Sequence, residues 1–265
     1  MEHETEEQRV GQAQESWAAQ LAAWAIDPEI LAAAPESPYG FPAGLFGSHR
    51  GAASTHRAIT AALPSGGMLL DIGCGGGAAS IPVAARAGVL LGVDSSERML
   101  QAFTAAAEST GTPVRTWHGA WAEVAADVPT ADVAVAANVV YNVPDIGDFL
   151  RTMTDHARRR VVVELTDSHP WTSMAALWRH FHHQDRPDGP TTADFLDVTI
   201  ELGFDAHVET FHRVSVWANA TPEVVLAFNR RRLCLPVERE SEVAAVMREL
   251  EPAAPMSAST VWWDA

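Results

Sequence analysis

Residues Met68-Leu69-Leu70-Asp71-Ile72-Gly73-Cys74-Gly75-Gly76-Gly77 carry the most chemical meaning in this chain. An apolar run ends at an acid, breaks into glycines and passes into an Ala-rich segment, which reads as a strand, a tight turn and a helix N-terminus. Residues without a Cβ let a ligand come close to the main chain, and a helix start offers free N–H groups. Further on, the apolar run Val89 to Val93 closes on a second acid, Asp94. A glycine turn after one strand and an acid closing the next form a grip for a nucleoside and its ribose hydroxyls. Gly73, Gly75 and Ala78 also satisfy the dinucleotide pattern G-x-G-x-x-A. However, Asp71 sits just ahead of the turn, where it opposes a pyrophosphate and favours a cationic ligand.

The acid-x-Gly-x-Gly-x-Gly of Asp71, Gly73, Gly75 and Gly77, with Asp94 beyond it, resembles motif I of class I (Rossmann-like) S-adenosylmethionine-dependent methyltransferases of the small-molecule type. The resemblance covers roughly residues 60 to 217 and the last strand. It implies S-adenosylmethionine as cofactor, with S-adenosylhomocysteine as product. It places Asp71 near the methionine ammonium, Gly73, Cys74 and Gly75 along the methionine and ribose, and Asp94 on the ribose hydroxyls. Gly77, Ser95 and Met99 complete that wall.

The same resemblance matches Gly119-Ala120-Trp121-Ala122-Glu123 to the loop framing the adenine. Ala120 stands where the family more often has an acid, and Trp121 either lies along the purine or packs under the next helix. Asn138-Val139-Val140-Tyr141-Asn142-Val143-Pro144 corresponds to motif IV. There Asn138 is placed to touch the methionine end, while Tyr141 and Asn142 line the acceptor pocket. It is not the Asn-Pro-Pro-Tyr of amide- and adenine-directed enzymes.

His169, just past the fifth strand, is a candidate general base for an acceptor hydroxyl, with a capping or surface role as the ordinary alternative. His180, His182 and His183 lack a carboxylate at metal-ligand spacing, so no metal site is read there. Trp17 with Trp24, and Trp171 with Trp178, are spaced to form apolar helix faces, which could also wall an aromatic pocket.

Composition narrows the classes. The 265 residues are 47% hydrophobic and carry a net charge of -16. All 18 basic residues are Arg. Without Lys there is no P-loop or Schiff-base chemistry. The acidic balance disfavours nucleic acid as a partner. Arg158-Arg159-Arg160 and Arg230-Arg231-Arg232 read as a strand flank and a helix C-terminus rather than a phosphate patch. Two cysteines imply no disulfide framework. An acidic N-terminus and the lack of a membrane-length apolar run lead to the expectation of a cytoplasmic, soluble protein acting on a small-molecule acceptor.

The elements that must position these residues alternate between strands and helices from Met68 onward. This predicts a doubly wound α/β fold with a mostly parallel seven-stranded sheet whose last strand is antiparallel. Residues 1–66 are expected to form an N-terminal helical cap and 67–265 the cofactor-binding domain, with helical insertions at about 167–190 and 221–255. A helix is expected from about Gly77 to Ala87. Three other functions compete: a nicotinamide-dependent oxidoreductase, a macromolecule-directed methyltransferase and a non-catalytic partner that binds the same cofactor.

Overall fold

The computed structural model describes residues 11–39, 53–212, 220–250 and 257–265. Seven strands form one sheet in the order β3-β2-β1-β4-β5-β7-β6. They are β1 (Gly67–Ile72), β2 (Ala87–Asp94), β3 (Val114–His118), β4 (Ala131–Ala137), β5 (Ala157–Thr166), β6 (His207–His212) and β7 (Ser257–Asp264). β7 lies between β5 and β6 and runs antiparallel to both, while the other pairings are parallel. This is the predicted sheet. The sixth strand was expected to run from Ala206 to Trp217, and its last five residues lie outside the described ones.

Alternation along the central strands divides the core into two layers, because successive side chains leave a strand on opposite faces. Leu70, Ile72, Leu91, Val93, Ala134, Val161 and Val163 face one layer. Helices α1 (Gln12–Ala22), α5 (Trp121–Val124), α6 (Ile146–Asp155) and α8 (Thr192–Glu201) cover it. Leu69, Leu90, Val133, Val135 and Val162 face the other, under α3 (Ala53–Ala62) and α4 (Glu97–Thr110). A third, smaller cluster joins Ile26 to α7 (Ala175–His182), α9 (Pro222–Arg232) and α10 (Glu240–Glu249). The N-terminal segment is therefore spread over the molecule. α1 and α3 lie on opposite faces of the sheet, and Ile26, just before the short helix α2 (Pro28–Ala32), joins the insertion helices.

The expected helix from Gly77 to Ala87 is not α-helical. Turns run to Ser80, and a 3₁₀ helix spans Ile81–Arg86. Pro82 is the reason: it lacks an N–H and disfavours the α conformation at Ile81. The glycine turn is thus followed by further turns rather than by a regular helix start. Among the described residues no helix is long and apolar enough to cross a membrane.

Trp17 locks α1 to the sheet. It is fully buried, stacks near Tyr141 at 6.3 Å, meets Phe195 edge-on at 5.9 Å and donates its indole N–H to the Val143 carbonyl at 3.0 Å. Trp17→Ala should lower unfolding stability by about 3–5 kcal/mol in denaturant titration. A loss below about 1 kcal/mol would show that α1 is not part of the core.

Candidate active site

The carboxyl ends of β1, β2, β4 and β5 converge on the glycine turn, where ligands bind in open parallel sheets. Gly73 and Gly75 have φ of 65° and 51°, in the left-handed region. They need glycine for different reasons. A Cβ on Gly73 would come within 2.4 Å of Val139 Cγ2, so the turn is pressed against the loop after β4. A Cβ on Gly75 would meet nothing within 4 Å, so this stretch of backbone faces open space. Gly77, at φ 82°, is shut in by Ile81 and Phe103 and has a packing role.

Asp94 ties the turn to β2. One carboxylate oxygen accepts from the Gly75 N–H at 2.9 Å and the other from the Ser96 N–H at 2.8 Å. A carboxylate offers about four acceptor positions. Two remain for a pair of ligand hydroxyls, and the side chain is only half-buried. Ser95, exposed, and Met99, half-buried, lie just beyond.

Asp71 is placed differently from what the motif implies. It is 1% exposed and lies beneath the turn, accepting from Ser80 Oγ at 2.5 Å. Its carboxyl is pushed up to about 7, chiefly by burial. Ser80 opposes that rise, while the negative charges of Asp94 and Glu164 add to it. Any action on a ligand ammonium is therefore exerted through the field below the loop, not by an exposed carboxylate. Burial also pushes the Cys74 thiol far up, so it stays protonated and serves as packing under the turn.

Asn138 has φ 60° and turns the chain after β4. Its N–H donates to the Glu164 carbonyl at 2.7 Å, and its side-chain amide to Glu164 Oε1 at 3.2 Å. Glu164 Oε2 accepts from Thr55 Oγ1 at 2.6 Å, so α3 is stitched to the same network. Ser80, Thr55 and Glu164 are site residues that motif spacing did not reveal. Glu164 alone carried a signal, as an acid that follows the apolar run Val161-Val162-Val163.

Two expectations are corrected. Trp121 is 5% exposed and packs edge-on against His156 at 4.9 Å. Its bulk fills the core instead of flanking a purine. Ala120, exposed, remains at the rim as the cap of α5, with its N–H donating to Glu123.

His169 is not built as a base. It is 6% exposed, stacks on Trp24 at 3.9 Å and meets Tyr141 edge-on at 5.3 Å. Its Nδ1 accepts from the Trp171 N–H at 3.2 Å, which leaves the neutral ring's proton on Nε2. Burial, then the charges of Arg232 and Arg186, pull its pKa down to about 3. The Tyr141 hydroxyl is engaged as well, donating to the Thr166 carbonyl and accepting from Thr166 Oγ1 at 2.9 Å. Asn142 is exposed, and its amide donates to the Val139 carbonyl at 3.4 Å.

Arg230-Arg231-Arg232 closes α9, as expected from the sequence. Arg230 pairs with Glu36 and Glu240, and Arg232 is 2% exposed, turned inward over Trp171 and Phe228. Among the described residues no three His, Cys, Asp or Glu side chains come together as a metal site.

The fold is a doubly wound, seven-stranded sheet with the glycine turn at the carboxyl ends of its parallel strands. Residues 69–160 match the family model for a methyltransferase domain. Over 154 residues the chain is 36% identical to a ubiquinone biosynthesis O-methyltransferase of Rhizobium rhizogenes, an alignment spanning 51% of this chain and 62% of that one. An uncharacterized protein of Haemophilus influenzae is 32% identical over 103 residues, 38% of each chain. The chain thus spans less than two thirds of these relatives' lengths. In fold it is similar to a SAM-dependent methyltransferase from Thiobacillus denitrificans in complex with S-adenosyl-L-homocysteine (TM-score 0.54, 18% identity, covering 83% of this chain and 96% of that one). It is likewise similar to a magnesium protoporphyrin IX methyltransferase from Synechocystis with bound SAH (TM-score 0.51, 16% identity, 80% and 81%).

Asp71 has a signed consequence for stability. Its folded pKa of about 7 lies above its ordinary 3.8. Between those values the folded state holds a proton that the unfolded state has lost, so stability falls as pH rises through that window. Asp71→Asn keeps an acceptor for Ser80 and removes the charge. The ligand-free variant should exceed the wild type by ~1–3 kcal/mol at pH 8, with the difference vanishing toward pH 4. Equal stability at pH 8 would mean that Asp71 carries no such strain.

Proposed function

We propose that this protein transfers a methyl group from S-adenosylmethionine to a small-molecule acceptor by in-line displacement. One observation carries the reading. The Gly75 backbone faces open space and is bonded to Asp94, while the carboxylates of Asp94 and Glu164 act on a third, Asp71, beneath the same turn. That field attracts a sulfonium and an ammonium and repels a pyrophosphate. It therefore weighs against a nicotinamide-dependent oxidoreductase. The family match over residues 69–160 and the partial identity to ubiquinone biosynthesis O-methyltransferases point the same way.

In this reading Gly73 and Gly75 admit the methionine and ribose portion, and Asp94 takes the ribose hydroxyls with its two free acceptor positions. Ser95, Met99 and Ala120 border the nucleoside, and Asn138 faces the methionine end. The cofactor supplies an already electrophilic methyl group with a leaving group that departs neutral. The chain then has to align the acceptor and exclude water, and alignment alone can be worth about 7–11 kcal/mol. His169 acts as a neutral hydrogen-bond donor on the acceptor side, since its weak basicity disqualifies it from taking a proton at neutral pH.

Calorimetry with S-adenosylmethionine and S-adenosylhomocysteine should show binding of both and none of NADH; failure of both to bind would sink the proposal. Asp94→Ala should weaken that binding at least tenfold through loss of charge-assisted hydrogen bonds to the ribose. Unchanged affinity would remove Asp94 from the site. Because a cationic ligand prefers ionised Asp71, Asp71 should make affinity for S-adenosylmethionine rise between pH 6 and pH 8. Asp71→Asn should flatten that part of the profile.

A further inference from the structure

The inserted helices and the cap enclose a cluster of hydrogen-bond donors that the cofactor reading does not use. Arg186 lies flat over the Trp178 ring, with its guanidinium carbon 3.9 Å from the ring centroid. Its Nη1 donates to the Ala25 carbonyl at 3.1 Å and the Trp24 carbonyl at 3.4 Å, which fixes the head group against the cap. Its other edge, Nε and Nη2, is buried with no hydrogen-bond partner among the described residues, and Arg186 makes no ion pair there. The Trp178 indole N–H and the Thr172 hydroxyl are likewise buried without a partner.

Arg232 enters the same cluster, 4.1 Å over Trp171 and 4.6 Å over Phe228. Both guanidinium charges act on His169, whose Nε2 carries its proton, and both feel the hydroxyl of Tyr39. Tyr39 is 54% exposed and stacks on Trp171 at 6.0 Å, at the outer edge of the cluster. The wall is therefore aromatic, and its unmet needs are almost all for acceptors. A buried arginine edge without an anion is expensive to maintain, and its two parallel N–H groups match a carboxylate.

Resting on the methyl-transfer reading, we propose that the acceptor is a flat aromatic or conjugated acid, and that its carboxylate is anchored by the Nε/Nη2 edge of Arg186. Arg232 adds charge beside that anchor, and the Trp178 N–H adds a donor. Trp24, Trp171 and Tyr39 provide flat faces for the body of the molecule. His169 lies between this anchor and the loop after β4, and donates through Nε2 to a ring oxygen of the acceptor. An overall net charge of -16 repels small anions, so selection of one has to come from a local, desolvated cation such as this. The Arg186 carboxylate contact is an anchor: it makes and breaks no covalent bond.

The test is calorimetric, on the full chain saturated with S-adenosylhomocysteine. The probes are 4-hydroxybenzoate, indole-3-carboxylate and naphthalene-2-carboxylate, each paired with its neutral carboxamide. At least one acid should bind tenfold or more tightly than its amide. Arg186→Gln should erase that preference while leaving S-adenosylhomocysteine affinity within twofold of wild type. Acids and amides binding alike, or no acid binding at all, would overturn the anchor even though the cofactor still binds. Loss of cofactor binding by the wild-type chain would instead strike the methyl-transfer reading itself. The acid–amide comparison is made on the unmodified protein, so it holds whether or not the Arg186 variant folds. In the wild type, the bound acid should also shift the titration of His169 upward by NMR, by cancelling the arginine field; an unmoved His169 would place the acid elsewhere.

Discussion

The bond from the Gly75 N–H to the Asp94 carboxylate ties the glycine turn to the neighbouring strand. It closes the turn after β1 onto the end of β2 and, with the bond from the Ser96 N–H, takes up two of the four acceptor positions of that carboxylate, so the other two have defined directions. The left-handed backbone at Gly73 and Gly75 exists to make that contact possible, and Val139 packs so closely on Gly73 that the loop after β4 is held in register with it. From there the network passes through Asn138 and Glu164 to Thr55 on α3. A small shift anywhere in this chain of contacts would reach the ligand side of the turn.

The two halves of the cleft are opposite in electrostatic character. At the sheet end burial, with the charges of Asp94 and Glu164 adding to it, holds Asp71 at about 7. Beside the inserted helices burial, with the charges of Arg232 and Arg186 adding to it, holds His169 at about 3. A cationic donor and an anionic acceptor would each meet a complementary field, and would be kept from exchanging places. The strain on Asp71 is the cost of this arrangement, and a cation bound above it would relieve that strain.

Much of the architecture was legible because it depends on local pattern. The apolar alternation of Leu69 and Leu70 predicts a strand with two buried faces, and that strand sits at the centre of the sheet with its two faces in different core layers. The helix after the glycines was misread because the Ala-rich composition hid the effect of one proline. Trp121 shows the other limit. Its spacing allowed a place beside a purine or in the core, and only the packing of His156, 35 residues later, shows it in the core.

The sequence by itself determined the order of strands and helices, the bends that only glycine permits and the presence of an acid at the end of each of two neighbouring strands. These are consequences of side-chain shape and short-range backbone sterics. What only the tertiary structure decided is how the ionisable groups behave. His169 has the composition of a base and the surroundings of a donor, because Trp24, Arg186 and Arg232 are brought to it from three separate segments. Arg232 has the position of a helix-end cation, and folding turns it inward. Desolvation and charge coupling depend on distance in space, and linear spacing along a chain does not contain that distance.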